Sequence, residues 1–352
     1  MAKYISSIKD LVIQTMTNGS EIEAKAKSNS ADACFQMGMI YLLGIDTPID
    51  FKKAASYFET QSLSDDSNVN RLLGFIAECE GNYSEAFKHY AKISNTTNKG
   101  KETTLYKKIS DERNNLQKFF KEMDLPSTAL NKEVTTLLNS YIKGGKSKID
   151  ACLQIATICD DETSCFEVAQ VLYDTKDFYS AKKWLQKGNI TSDNSLYIAI
   201  NDKLTKSKKG FSLSNTPQII DIQGRSLLPD NYVSYNNVEI RHRCDSVSLA
   251  SKKLWLKEVS NLITQIKKNL KKEEEKRLEK QRKKEYQAFL REQAEEEKRA
   301  KLRKNIITFV IVAICGFIWG LLAEGNINGG FVCTGILLFI YFMFKLIIKV
   351  MK

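Results

Sequence analysis

The sequence predicts an all-α chain: a helical solenoid over residues 1–206, an irregular linker over 207–248, a charged helix over 249–304 and an apolar two-helix hairpin over 305–352. Three observations carry this. Gly and Pro number only 17 and 4 in 352 residues, too few for a fibrous or disordered chain, and the runs rich in Lys, Glu, Ala and Leu favour helices. Paired amphipathic segments recur along the first domain, and a helix pair that cannot bury its own face is expected to stack on its neighbours. Two apolar runs of 18 residues, Ile306–Ala323 and Phe331–Ile348, flank one polar turn, Glu324–Gly330.

The elements follow in order. Ile5, Ile8, Leu11, Val12 and Met16 recur at helical spacing over residues 3–18, and Asn18–Gly19 marks the expected end of that helix. Ala31–Thr60 then sets small residues (Ala33, Gly38, Ala54, Ala55) among large ones (Phe35, Tyr41, Tyr57, Phe58) on two helical patterns. The turn between them holds Gly44, Pro48 and Asp50, the last placed as an N-cap. Small residues facing large ones allow two antiparallel helices to approach closely.

This stretch resembles the Sel-one-like repeat, a longer-turned relative of the tetratricopeptide repeat. Ala31, Met37, Gly38, Tyr41, Gly44, Pro48, Asp50, Lys53, Ala54, Tyr57 and Phe58 meet that family's pattern, with Met37 standing where the family has Leu. The resemblance implies a tetratricopeptide/Sel-one-like α-solenoid that serves as a scaffold or adaptor. The clearest repeats are 31–62, 67–94 and 164–188. In the second, Leu73, Gly74, Ala77, Gly81, Tyr83, Ala86 and Tyr90 repeat the scheme with a shorter turn, and Asn82 and Glu85 form a capping pair. In the third, Ala169, Tyr173, Ala181 and Trp184 do so, Ser164 and Glu167 are placed as a capping box, and Asp177 is placed to cap the second helix.

Between these copies, Leu105–Met123, Ala129–Ile142 and Ile149–Cys159 are helical patterns without the motif, expected to be degenerate repeats punctuated by Pro126 and Gly144–Gly145. Leu196–Leu204 is the expected closing helix. Residues 208–247 alternate Gly and Pro with β-branched clusters (Gln218–Ile222, Tyr232–Tyr235, Val238–Ile240), which favours extended chain or a short hairpin. Helix returns from Leu249. Leu256, Val259, Ile263, Ile266 and Leu270 form a heptad seam, too short to specify a coiled coil, so packing on the repeats and homodimerisation through 249–270 both stay open. The remainder is charged and can stand as a lone helix through i,i+4 pairs.

Each apolar run would span about 27 Å as a helix, close to a hydrocarbon core of about 30 Å. Lys301, Arg303 and Lys304 precede the first run and Lys345, Lys349 and Lys352 close the second, whereas the turn carries only Glu324. Positive flanks stay cytosolic. The sequence therefore predicts an integral membrane protein with both termini cytosolic, a re-entrant hairpin being the alternative. Gly316 and Gly320 form a G-x-x-x-G that suits packing of the hairpin on itself or of two copies.

The charge of +11 is unevenly placed: residues 264–304 hold 16 Lys/Arg and 9 Asp/Glu. A basic excess beside that hairpin points to membrane lipids. Nucleic acid would prefer aromatics interleaved with the cations, and here only Tyr286 and Phe289 interrupt the run. The eight cysteines form no C-x-x-C pair and no zinc spacing. Arg241–His242–Arg243–Cys244 sets a thiol beside cations but offers no group to orient a base. Gly144–Gly145–Lys146–Ser147 imitates the end of a phosphate-binding loop, yet a helix rather than a strand precedes it. No catalytic, cofactor-binding or metal-ligating set is expected. The predicted function is a membrane-anchored scaffold that binds a protein or peptide partner on its repeats; the alternative is a lipid-responsive or membrane-remodelling hairpin regulated by them.

Overall fold

Side-chain caps decide where the second helix of a pair begins. Asp50, Asn82 and Asp177 each stand just before a second helix and accept from the backbone N–H three residues on, at 3.0, 3.2 and 3.1 Å. Each satisfies one of the orphan N–H donors that every helix start leaves. An aromatic follows each cap (Phe51, Tyr83, Phe178), and Ala54, Ala86 and Ala181 lie one turn further on with no exposed surface. In two of the pairs the first helix contributes a glycine at its closest approach. A β-carbon on Gly38 would lie 2.4 Å from Phe58 Cε1, and one on Gly74 would lie 2.6 Å from Tyr90 Cε1.

The computed structural model describes residues 4–93, 104–126, 130–209 and 237–323, with 338–342, 344, 345 and 348 near the end. Among them there are helices and turns and no strand. The order is α1 (Ile8–Lys27), α2 (Ala31–Leu43), α3 (Phe51–Phe58), α4 (Ser67–Cys79), α5 (Tyr83–Lys92), α6 (Leu105–Glu122), α7 (Lys132–Lys143), α8 (Lys146–Cys159), α9 (Glu162–Asp174), α10 (Phe178–Lys187), α11 (Ser195–Lys209) and α12 (Val238–Ala323). Helices α2 and α3, α4 and α5, α7 and α8, and α9 and α10 pack as pairs, and successive pairs pack on one another, with α6 between α5 and α7. This all-helical succession is consistent with an α-solenoid. The chain divides into two compact units, residues 1–268 and 269–352.

Several expectations are corrected. Asn18–Gly19 does not end α1. Asn18 leaves helical geometry (φ −134°), producing a kink, and the helix runs on to Lys27. Ser164 is not the N-cap of α9. Asp161 holds that place, and the reciprocal box joins Asp161 to Ser164, a shift of three residues. Val238–Ile240 is not extended chain. Helix α12 starts there, because Asn237 accepts from the Ile240 N–H through its side chain (3.1 Å), and residues 210–236 of the linker lie outside the described residues.

The hairpin expectation also changes. Among the described residues no helix is long and apolar enough to cross a membrane, which overturns the expectation of an integral membrane protein with cytosolic termini. The apolar residues that follow Ile306 are the last turns of α12, whose preceding turns are charged. Turn 324–330 and most of 331–348 lie outside the described residues. A β-carbon on Gly316 or Gly320 would meet nothing within 4 Å.

Candidate interaction surface

The first part of α12 belongs to the first compact unit and lies along its helix pairs. Its buried positions are Ile240, Cys244, Ser248, Trp255, Val259 and Ile263. The steps are four, four, seven, four and four residues, which keeps one stripe on one face of a 3.6-residue helix. The partners of that face fall in reverse chain order. Arg241 donates to the Thr157 carbonyl at the end of α8 (2.5 Å), and Arg243 to Glu133 in the first turn of α7 (3.0 Å). Lys252 reaches Glu80 after α4 (2.5 Å), and Lys267 reaches Asp46 between α2 and α3 (2.5 Å). As α12 advances, its neighbours step back from α8 to α2, so one amphipathic helix spans the stack.

Apolar contact dominates its energetics. Trp255 has no exposed surface and packs against Phe75 and Phe120, ring centroids 4.9 and 5.1 Å away. The ion pairs at the rim are part-exposed and each adds at most about 1 kcal/mol. They set register more than they hold the helix.

A polar chain runs beneath this contact. Asn131 caps α7 through its side-chain oxygen, leaving its amide nitrogen to donate to the Cys244 carbonyl (2.9 Å) and Ser248 Oγ (2.8 Å). Tyr83 Oη lies 3.1 Å from Ser248 Oγ, and burial raises the phenol's proton affinity. Arg113 donates to both Glu78 oxygens (2.7 and 3.0 Å), to Thr135 Oγ1 (2.9 Å) and to the Asn131 carbonyl (3.0 Å). Arg113 and Glu78 are 3% and 2% exposed. Such a pair stabilises only when fully hydrogen-bonded, and removing one partner strands the other charge. Here each group is satisfied, so the chain fixes the relative placement of α4, α6, α7 and α12.

A second surface lies on α10. Tyr179, Lys183 and Lys187 form one exposed stripe at i, i+4 and i+8. Lys183 Nζ stands 5.8 Å from the Tyr179 ring centre, Lys187 Nζ 4.2 Å from that of Trp184, and Lys182 Nζ 5.6 Å from that of Tyr197 on α11. No carboxylate occurs between Phe178 and Ser192.

The sequence-predicted residues are structural. Gly38 and Gly74 lie at close helix contacts, and Ala54, Ala86, Ala169 and Ala181 are fully buried. Ala31 opens α2, and Tyr41 stacks on Tyr57 with centroids 5.7 Å apart. Gly44 (φ 67°) and Gly81 (φ 74°) take left-handed turns, Pro48 is exposed in the first of them, and Asp50 caps α3. Sequence reasoning missed Asn131, Tyr83 and Ser248 as one node, and it missed Cys244 as packing. Cys244 is buried, and desolvation pushes its thiol up to about 12, which leaves essentially no thiolate at neutral pH. Gly144 ends α7 at φ 82°, so the phosphate-loop imitation is a helix stop. Among the described residues no group of three or more His, Cys, Asp or Glu side chains could hold a metal ion. No protein-family model matches the chain, and no curated protein and no solved structure shows significant similarity to it.

Proposed function

We propose that the chain is a scaffold of tetratricopeptide-like, Sel-one-like repeats whose surface binds a protein or peptide partner and performs no chemistry of its own. One observation carries this: Val238–Lys268 of α12, an amphipathic helix, is held across successive helix pairs from α8 to α2. A stack that takes one helix by a buried aromatic stripe with a rim of ion pairs has the means to take other peptide segments on its open faces. The recurring cap, aromatic and alanine positions of α3, α5 and α10 support the repeat assignment. The buried, protonated Cys244 supports a binding role over a nucleophilic one.

Cross-linking mass spectrometry on the full-length chain in its native cells tests the proposal. Cross-links to partner proteins are expected to concentrate on residues 31–206. Partner cross-links confined to 269–304 would reject a repeat scaffold.

A further inference from the structure

The cations of α12 and those of α10 have different surroundings. Those of α12 that border its contact with the repeats are matched: Arg243 by Glu133, Lys252 by Glu80 and Lys267 by Asp46. Those of α10 are not. Lys182, Lys183 and Lys187 lie over aromatic rings and have no carboxylate partner within ion-pairing distance among the described residues. A ring beneath an ammonium holds its position without using its N–H donors. Three positioned cations beside an exposed tyrosine (52% exposed) make a surface that is complete on the protein's side and lacks only anions.

We infer that the α10 face, centred on Tyr179, Lys183 and Lys187 and flanked by Lys182 and Tyr197, docks an acidic peptide segment of a partner protein. This rests on the scaffold function proposed above and names the chemistry of its partner. The spacing selects a peptide. Lys183 and Lys187 are one helical turn apart, about 6 Å along the axis. Carboxylates one turn apart on a helix match that distance, as do carboxylates two residues apart on a strand at about 6.6 Å. Tyr179 supplies an amphipathic ring of the kind that anchors protein interfaces. A nucleic-acid backbone would call for a longer cationic track, with arginines for bidentate phosphate contacts.

The test is fluorescence anisotropy of a fluorescein-labelled peptide of alternating glutamate and alanine, titrated with the full-length chain at low and physiological salt. Binding that weakens with salt is expected. The double variant Lys183→Glu/Lys187→Glu should lower affinity about tenfold, about 1.4 kcal/mol, with an unchanged circular dichroism spectrum. Lys183→Gln/Lys187→Gln should give a smaller loss. Lys271→Glu/Lys272→Glu, on the charged part of α12, should leave affinity unaltered. Three results overturn the inference: no binding, a loss that is equal in the α12 variant, or tighter binding of an RNA oligonucleotide of equal charge that the α10 variant abolishes. Partner cross-links on other repeat helices would then leave the scaffold standing without this face; their absence too would remove both.

Discussion

A β-carbon at Gly74 would come within 3.0 Å of three ring atoms of Tyr90, whose side chain has no exposed surface and so no room to swing away. Gly74→Ala should therefore destabilise the helix stack by about 1–3 kcal/mol, as overpacking does, against the gain of about 1 kcal/mol that alanine brings to an open helix position. Urea unfolding followed by far-ultraviolet circular dichroism measures the balance; a stabilised variant would mean that α4 and α5 are further apart. Glu167 supplies a pH-dependent case. Burial raises its carboxyl above the ordinary 4.5, with the Tyr141 hydroxyl and Lys148 opposing. The fold thus binds that proton more tightly than the unfolded chain does. Its contribution is fully present below pH 4.5 and is lost as pH rises through the raised native value. Glu167→Gln should match the parent protein in acid and exceed it in stability at neutral pH. Equal urea midpoints at both ends of the range would show that the carboxylate is not desolvated.

At the scale of elements, Trp255 is the anchor of α12 on the helix pairs. Trp255→Ala removes a fully buried indole from between Phe75 and Phe120, a loss of about 3–5 kcal/mol. Hydrogen exchange should show amides of 238–268 losing protection while those of α4 and α5 keep most of theirs. Uniform loss across the unit would mean that α12 is part of one cooperative core. The physical basis of this element also shows what a sequence can disclose. Caps at Asp50, Asn82 and Asp177 and close contacts at Gly38 and Gly74 were legible, because their partners lie within one helix pair. The packing stripe of α12 was legible only in part: Val259 and Ile263 of the expected seam are buried in it, whereas Leu256, Ile266 and Leu270 are only half-buried. The stripe runs through Trp255 and through Cys244 and Ser248, small residues that do not register in an apolar pattern, and β-branched Val238–Ile240 imitated a strand while Asn237 was the signal for a helix start. Burial of Glu78 and Arg113 was hidden for a different reason: two opposite charges 35 residues apart are indistinguishable in sequence from surface residues. The face on α10 was half legible, since its lysines and aromatics were visible but the absence of neighbouring carboxylates depends on the fold.

Across the whole molecule, the two compact units are held by different forces, and heating should separate them. Residues 1–268 bury Trp184 and Trp255 among aliphatic and aromatic neighbours. Residues 269–304 form an exposed helix with ion pairs at i,i+4, among them Glu279–Lys283, Glu295–Arg299 and Glu297–Lys301, whose side chains are 65–74% exposed. Each such pair contributes about 0.3–0.5 kcal/mol and is screened by salt, whereas apolar burial is not. Circular dichroism should therefore show two losses of helix on heating. The first should move to lower temperature as salt rises and leave the fluorescence of Trp184 and Trp255 unchanged. The second should carry the red shift of those indoles and respond little to salt. A Trp319→Phe background removes the remaining tryptophan, which is 77% exposed, so that the signal reports the first compact unit alone. A single transition that shifts as one with salt would mean that the charged helix and the helix pairs unfold cooperatively, and that α12 transmits stability along its length instead of changing character near Lys268.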